Sequence, residues 1–107
     1  MNSILIVAAA LLSLTGAAQA ESGMFLCPSP LLAHDYWAAV SSALQSGFPA
    51  AESLRTLAPA NKCQYVAGDD LRPIGAGWAG MIKITDGRVF GWADPALFNW
   101  YAGRQRD

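Results

Sequence analysis

Few residues in this 107-residue chain could do chemistry. The only histidine, His34, stands beside Asp35, a base next to a carboxylate that could orient it. Helix neighbours project about 100° apart and do not face each other. No serine or cysteine at a recognisable nucleophile turn accompanies the pair, so it reads as a helix-surface dipeptide. Asp69-Asp70 joins two carboxylates in a turn, but a calcium loop needs several spaced oxygen ligands and a distal glutamate, which do not follow. Glu52 with Asp35 offers a glycosidase-like pair. With eight acids in the chain, such pairs arise without purpose. Cys27, Cys63 and one histidine fall short of the three or four ligands of a metal site, and the cysteines lack Cys-x-x-Cys spacing. This inventory assigns no catalytic residue, no metal and no cofactor, and the chain reads as a non-enzyme. What remains is recognition. Trp78, Phe90, Trp92, Trp100 and Tyr101 are many large rings for a small domain to hide, and Lys83, Arg88 and Arg72 lie among them. Together they form the candidate binding face, since exposed apolar patches and aromatic side chains mark interaction sites. The competing reading packs all the rings inside.

The address is the clearest signal. Ile4 to Ala18 is an almost unbroken apolar run ending in Ala18-Gln19-Ala20, whose small residues fit cleavage before Glu21. The run is shorter than the roughly 20 residues of a spanning helix. No Lys or Arg precedes it, so the positive start rests on the α-amino group. Residues 1–20 are therefore expected to be a secretory signal peptide and 21–107 a single mature domain, periplasmic or secreted. A membrane association would require that the leader stay attached. A lipid-modified Cys27 is disfavoured, because Met24-Phe25-Leu26 precede it where small residues are expected. All charges lie after the leader, and the net charge of −1 is no footprint for nucleic acid. In an oxidising compartment Cys27 and Cys63 have one intramolecular pairing open to them. That disulfide closes about 37 residues, and chain-entropy arguments give roughly 4 kcal/mol for it.

The elements that must position these residues follow in order. Glu21–Pro28 reads as a lead-in packed on the body. Ser29-Pro30 caps and starts a helix running from Pro30 or His34 to Ser46, with Trp37, Val40 and Leu44 on its apolar face beside Ala33 and Ala43. Gly47 stops it and Phe48-Pro49 blocks continuation. A second helix spans Pro49–Ala58, with Leu54, Leu57 and Ala58 as its stripe after Ala50 and Ala51. The disulfide then pins the open end of this helical hairpin. After Cys63 the period becomes alternating. Gln64–Ala67 is a strand, Gly68–Asp70 a turn, and Leu71–Ile74 a second strand that Pro73 makes an edge or a bulge. Asp94-Pro95 starts a last short helix to Tyr101, stopped by Gly103.

Between these lies Trp78 to Ala93, which reads as a β-hairpin around the turn Asp86-Gly87. A two-residue turn pairs Thr85 with Arg88, Ile84 with Val89, Lys83 with Phe90, Ile82 with Gly91 and Met81 with Trp92. One face then carries Ile82, Ile84, Val89 and Ala93. The other carries Met81, Phe90 and Trp92 beside Lys83 and Arg88.

The run from Gly87 to Leu97, with Gly91-Trp92 leading into a short helical turn, resembles the end of bacterial SH3-like domains. The resemblance covers about residues 63–98 of this small exported protein. The chain departs from that pattern by one extra residue between Gly87 and Gly91 and by its disulfide-linked helical half. The resemblance implies an incomplete small barrel and a ligand- or peptide-binding role at the cell envelope, and carries over no ligand contacts. The fold expected is α+β, a disulfide-pinned helical hairpin packed on a small antiparallel SH3-like sheet with a short C-terminal helix. The function expected is an exported binding module whose partner is an envelope protein, or a foreign secreted enzyme that it inhibits. The alternative is a module binding cell-wall glycan or peptide. A small secreted hydrolase or toxin is the third class.

Overall fold

The structure, a computed structural model, describes residues 22–105. The leader read at 1–20 and the cleavage point before Glu21 lie outside them. Where the lead-in was expected, Gly23–Leu26 forms a strand, β1. Three consecutive apolar residues, Met24, Phe25 and Leu26, hide the alternation. Met24 and Leu26 are buried, and Phe25 stacks against the rings of Tyr36 and Tyr65. The partner of β1 is β2, Gln64–Ala67, paired antiparallel with Met24 opposite Val66 and Leu26 opposite Gln64.

Helix α1 spans Pro30–Gln45. The Ser29 hydroxyl accepts the Leu32 N–H at 3.2 Å, and Pro30 costs no hydrogen bond at the first turn. Its buried residues are Ala33, Tyr36 and Val40, so the inner face is turned by one position from the expected one. Trp37 is half-buried against the core, and Leu44 faces out. Tyr36 replaces Trp37 at the centre because its hydroxyl finds a partner there, donating to the Leu54 carbonyl at 2.7 Å. Helix α2, Ala50–Leu57, buries Leu54, and Ala58 follows it into the core. Ala50 and Ala51 are exposed, whereas Ser53 is buried with its hydroxyl returned to the Pro49 carbonyl. A 3₁₀ turn, Pro59–Asn61, leads to Cys63, which is bonded to Cys27 across 36 positions of sequence. The disulfide fixes the start of α1 against the end of α2. Such a bond forms and persists in oxidising environments such as those outside the cytoplasm. Among the described residues no helix is long and apolar enough to cross a membrane.

Strands β3 (Arg72–Pro73), β4 (Ile82–Thr85) and β5 (Phe90–Ala93) form an antiparallel meander in which Pro73 sits on the edge strand. The main chains of Cys27 and Trp92 exchange hydrogen bonds of 2.9 and 2.8 Å, which joins the end of β1 to β5. The pairings thus run β2–β1–β5–β4–β3. Gly91 permits this junction. A Cβ there would lie 2.6 Å from the Leu26 Cβ and 3.1 Å from the Cys27 carbonyl oxygen. Helix α3, Pro95–Gln105, starts where the Asp94 carboxylate accepts the Ala96 N–H at 2.8 Å. It runs through Gly103, which was expected to stop it. Leu97 and Tyr101, four apart on one face, are buried and hold the helix to the body. The molecule is therefore α+β, a disulfide-pinned helical hairpin on small antiparallel sheets with a C-terminal helix. One cluster including Met24, Tyr36, Val40, Leu54, Ile84 and Leu97 forms its core.

Candidate binding face

The hairpin register sets this face, and it differs from the one a two-residue turn would give. Thr85 is opposite Phe90, Ile84 opposite Gly91, Lys83 opposite Trp92 and Ile82 opposite Ala93. The loop therefore has four residues, Asp86 to Val89. The cause is the Asp86 side chain. Its carboxylate accepts the N–H groups of Arg88 at 2.8 Å and Val89 at 3.0 Å, and the Arg88 guanidinium at 2.9 Å. Thr85 completes the loop, its hydroxyl accepting from the Gly87 N–H and donating to the Val89 carbonyl. Gly87 takes φ +99°, open to glycine at no steric cost. The loop wraps its own acid so closely that only 3% of the Asp86 side chain is exposed. The Val89 and Arg88 N–H groups, and then the Arg88 guanidinium, hold that carboxyl well below the usual carboxylate range.

A slip of two residues keeps the side chains that remain in the strands on their faces. Lys83, Phe90 and Trp92 therefore share the outer side of β4 and β5, and Ile84 and Ala93 face the core. Val89 leaves the expected core wall for the loop and is exposed. Arg72 of β3 sits opposite Thr85, in the same cross-strand row as Phe90. The Lys83 ammonium lies 4.4 Å from the Phe90 ring centre and 5.8 Å from that of Trp92. Phe90 is nonetheless 64% exposed, and Trp92 is half-buried. Beside this face runs a groove of about 650 Å³, floored by Leu26, Cys27 and Pro28 and walled by β2 on one side and Arg88, Val89 and Phe90 on the other. Lys62 stands at its rim. Phe90 and Trp92 make this face aromatic and Lys83, Arg72 and Lys62 make it cationic, while Arg88 is paired with Asp86 and lies within electrostatic reach of Asp70.

The other expected members of the face lie elsewhere. Tyr101 is a core residue, 1% exposed; its ring and hydroxyl are taken up inside the molecule, and it leaves the candidate face. Trp100 is exposed on α3, where it lines a separate groove with the Arg104 guanidinium 4.7 Å from its ring centre. Trp78 is exposed in the tight turn that it closes with Met81. Lys62 and Val89 were missed. Lys62 stands in left-handed backbone just after the 3₁₀ turn, which no periodicity reports; for Val89 the useful signal was Thr85-Asp86-Gly87, a run of side-chain acceptors able to hold open a wider loop.

The His34 Nδ1 and an Asp35 carboxylate oxygen approach to 3.5 Å, closer than helix geometry led us to expect. The two side chains are 63% and 68% exposed and stand in solvent. Asp69 and Asp70 are exposed, and no group of three potential metal ligands occurs among the described residues. Comparison with protein-family models, with curated proteins and with solved structures finds no match for this chain.

Proposed function

We propose that the protein is an exported, non-enzymatic binding module that recognises a protein partner outside the cytoplasm through the outer face of β3–β4–β5. The apolar N-terminal run supports export, and the disulfide fits the compartment. One observation carries the recognition reading: Phe90 is held under Lys83 yet left mostly bare to solvent. A lone exposed ring needs no explanation, but this one is flanked by Trp92, Arg72 and Arg88 and opens on a groove. Rigid strands and a disulfide reduce the ordering cost of binding, which suits an inhibitor or an envelope adaptor. The SH3-like resemblance of residues 63–98 implies a small incomplete barrel with a binding role. The face favours a partner bearing acidic and apolar groups, because it is cationic and aromatic.

The test is capture by the exported, oxidised protein of soluble envelope proteins and, separately, of washed cell wall. The expected result is one protein retained in a stoichiometric complex that weakens with salt. Replacing the exposed Phe90 with alanine should weaken it at least about tenfold, the scale of an interface hot spot. Retention on wall material, lost in the same variant, would favour the glycan- or peptide-binding alternative. If neither fraction is retained, the face is not a recognition surface.

A further inference from the structure

A second groove lies away from that face. It has a volume of about 500 Å³ and runs between β1, α2 and α3. Phe25, Leu54, Leu97 and Trp100 supply apolar walls, and Arg55 and Arg104 are the charged side chains that line it. No acid is among its described lining residues. Arg104 is on α3, four residues after Trp100, and lies against that ring, a contact that orients the planar fork. Arg55 comes from α2 and makes no ion pair among the described residues. Two helices thus bring two exposed cations to the edges of one apolar groove, and neither is paired with an acid among the described residues.

We propose that this groove binds a single-chain alkyl carboxylate, with the chain along the apolar walls and the carboxylate at Arg55 and Arg104. Three observations select this occupant. The volume falls in the range of small-molecule sites. The charged groups are both guanidinium groups, which match a carboxylate bidentately. The lining is mostly apolar side chain, so a peptide laid there would bring main-chain N–H and C=O groups with few partners, whereas an alkyl chain brings none. The site is separate from the Lys83–Phe90 face, and neither reading depends on the other.

The test uses the oxidised protein in the form its own gene yields, titrated by calorimetry with dodecanoate below its micelle concentration. Dodecanol and decanoate are the comparison ligands, and anionic phospholipid vesicles test for bilayer binding. One molecule should bind, at least about tenfold more tightly than dodecanol, a ratio of one charge-assisted contact. Decanoate should bind more weakly by about two- to fourfold per methylene removed. Arg55→Gln with Arg104→Gln should bring dodecanoate and dodecanol to equal affinity, and both sites are exposed enough for the variant to fold. Phe90→Ala should change nothing. Equal affinity for the acid and the alcohol in the parent protein would overturn the proposal, as would the absence of chain-length dependence. Binding to vesicles without binding to the monomeric acid would assign the groove to a membrane surface and overturn it too.

Discussion

At the scale of single residues, two buried hydroxyls do what apolar packing cannot. Tyr36 and Tyr101 are each 1% exposed. Burial pushes the Tyr36 phenol far above its usual value, and burial is also the main cause of the upward shift at Tyr101. Tyr101 donates to the Gly68 carbonyl at 2.9 Å and accepts the Leu71 N–H at 3.2 Å. It therefore fixes the turn between β2 and β3 to α3, two segments that share no strand pairing. Tyr101→Phe leaves that carbonyl and that amide without the hydroxyl, and unpaired buried groups cost about 1–3 kcal/mol. Urea unfolding should show a loss in that range, with partner binding by the folded protein unchanged. If binding fell while stability held, Tyr101 would belong to a recognition surface after all.

At the scale of elements, the hairpin loop shows why register was hard to read. Asp86-Gly87 is a strong two-residue turn signal, and the strand residues around it were legible. What decided the register was the acceptor capacity of one carboxylate, which no periodicity reports. The two-residue slip preserved the faces, so the grouping of Lys83, Phe90 and Trp92 was readable even though the pairing was not. The depressed Asp86 carboxyl has a consequence with a definite sign. Its support for the loop is complete above the ordinary aspartate pKa of about 3.9. That support is lost as pH falls from there through the lower native value. An NMR titration of Asp86 should place its midpoint below the ordinary value. In Arg88→Ala the midpoint should rise only part of the way back, because the backbone N–H groups of Val89 and residue 88 are the larger causes and survive the substitution. A full return to the ordinary value would show instead that the ion pair holds the loop, and the amides do not.

At the scale of the whole molecule, the helical half was legible because caps, stop signals and a 3.6-residue period are local. Ser29-Pro30, Gly47 and the Leu54–Ala58 stripe all sit within a few positions of the structure they specify. β1 was not legible because its partner is about forty residues away and its side chains are apolar on both sides. The same distance hid the junction of Cys27 with Trp92, although Cys27 and Gly91 were each conspicuous. The junction changes what the disulfide does. Cys27 is bonded through sulfur to Cys63 at the end of the helical hairpin and through its main chain to Trp92 in β5. One residue thus ties the helices, β1 and the binding sheet together. Replacing both cysteines with serine should cost roughly 4 kcal/mol from the loop entropy of the unfolded chain alone. The second effect is local. Hydrogen exchange at the Cys27 position and Trp92 amides, which bond each other's carbonyls, should accelerate more than exchange within β4, because the bond to Cys63 no longer fixes the end of β1 whose main chain pairs with Trp92. A uniform rise across the domain would mean that the disulfide acts only on the unfolded chain. An unchanged unfolding midpoint would mean that the core holds the two halves together without it.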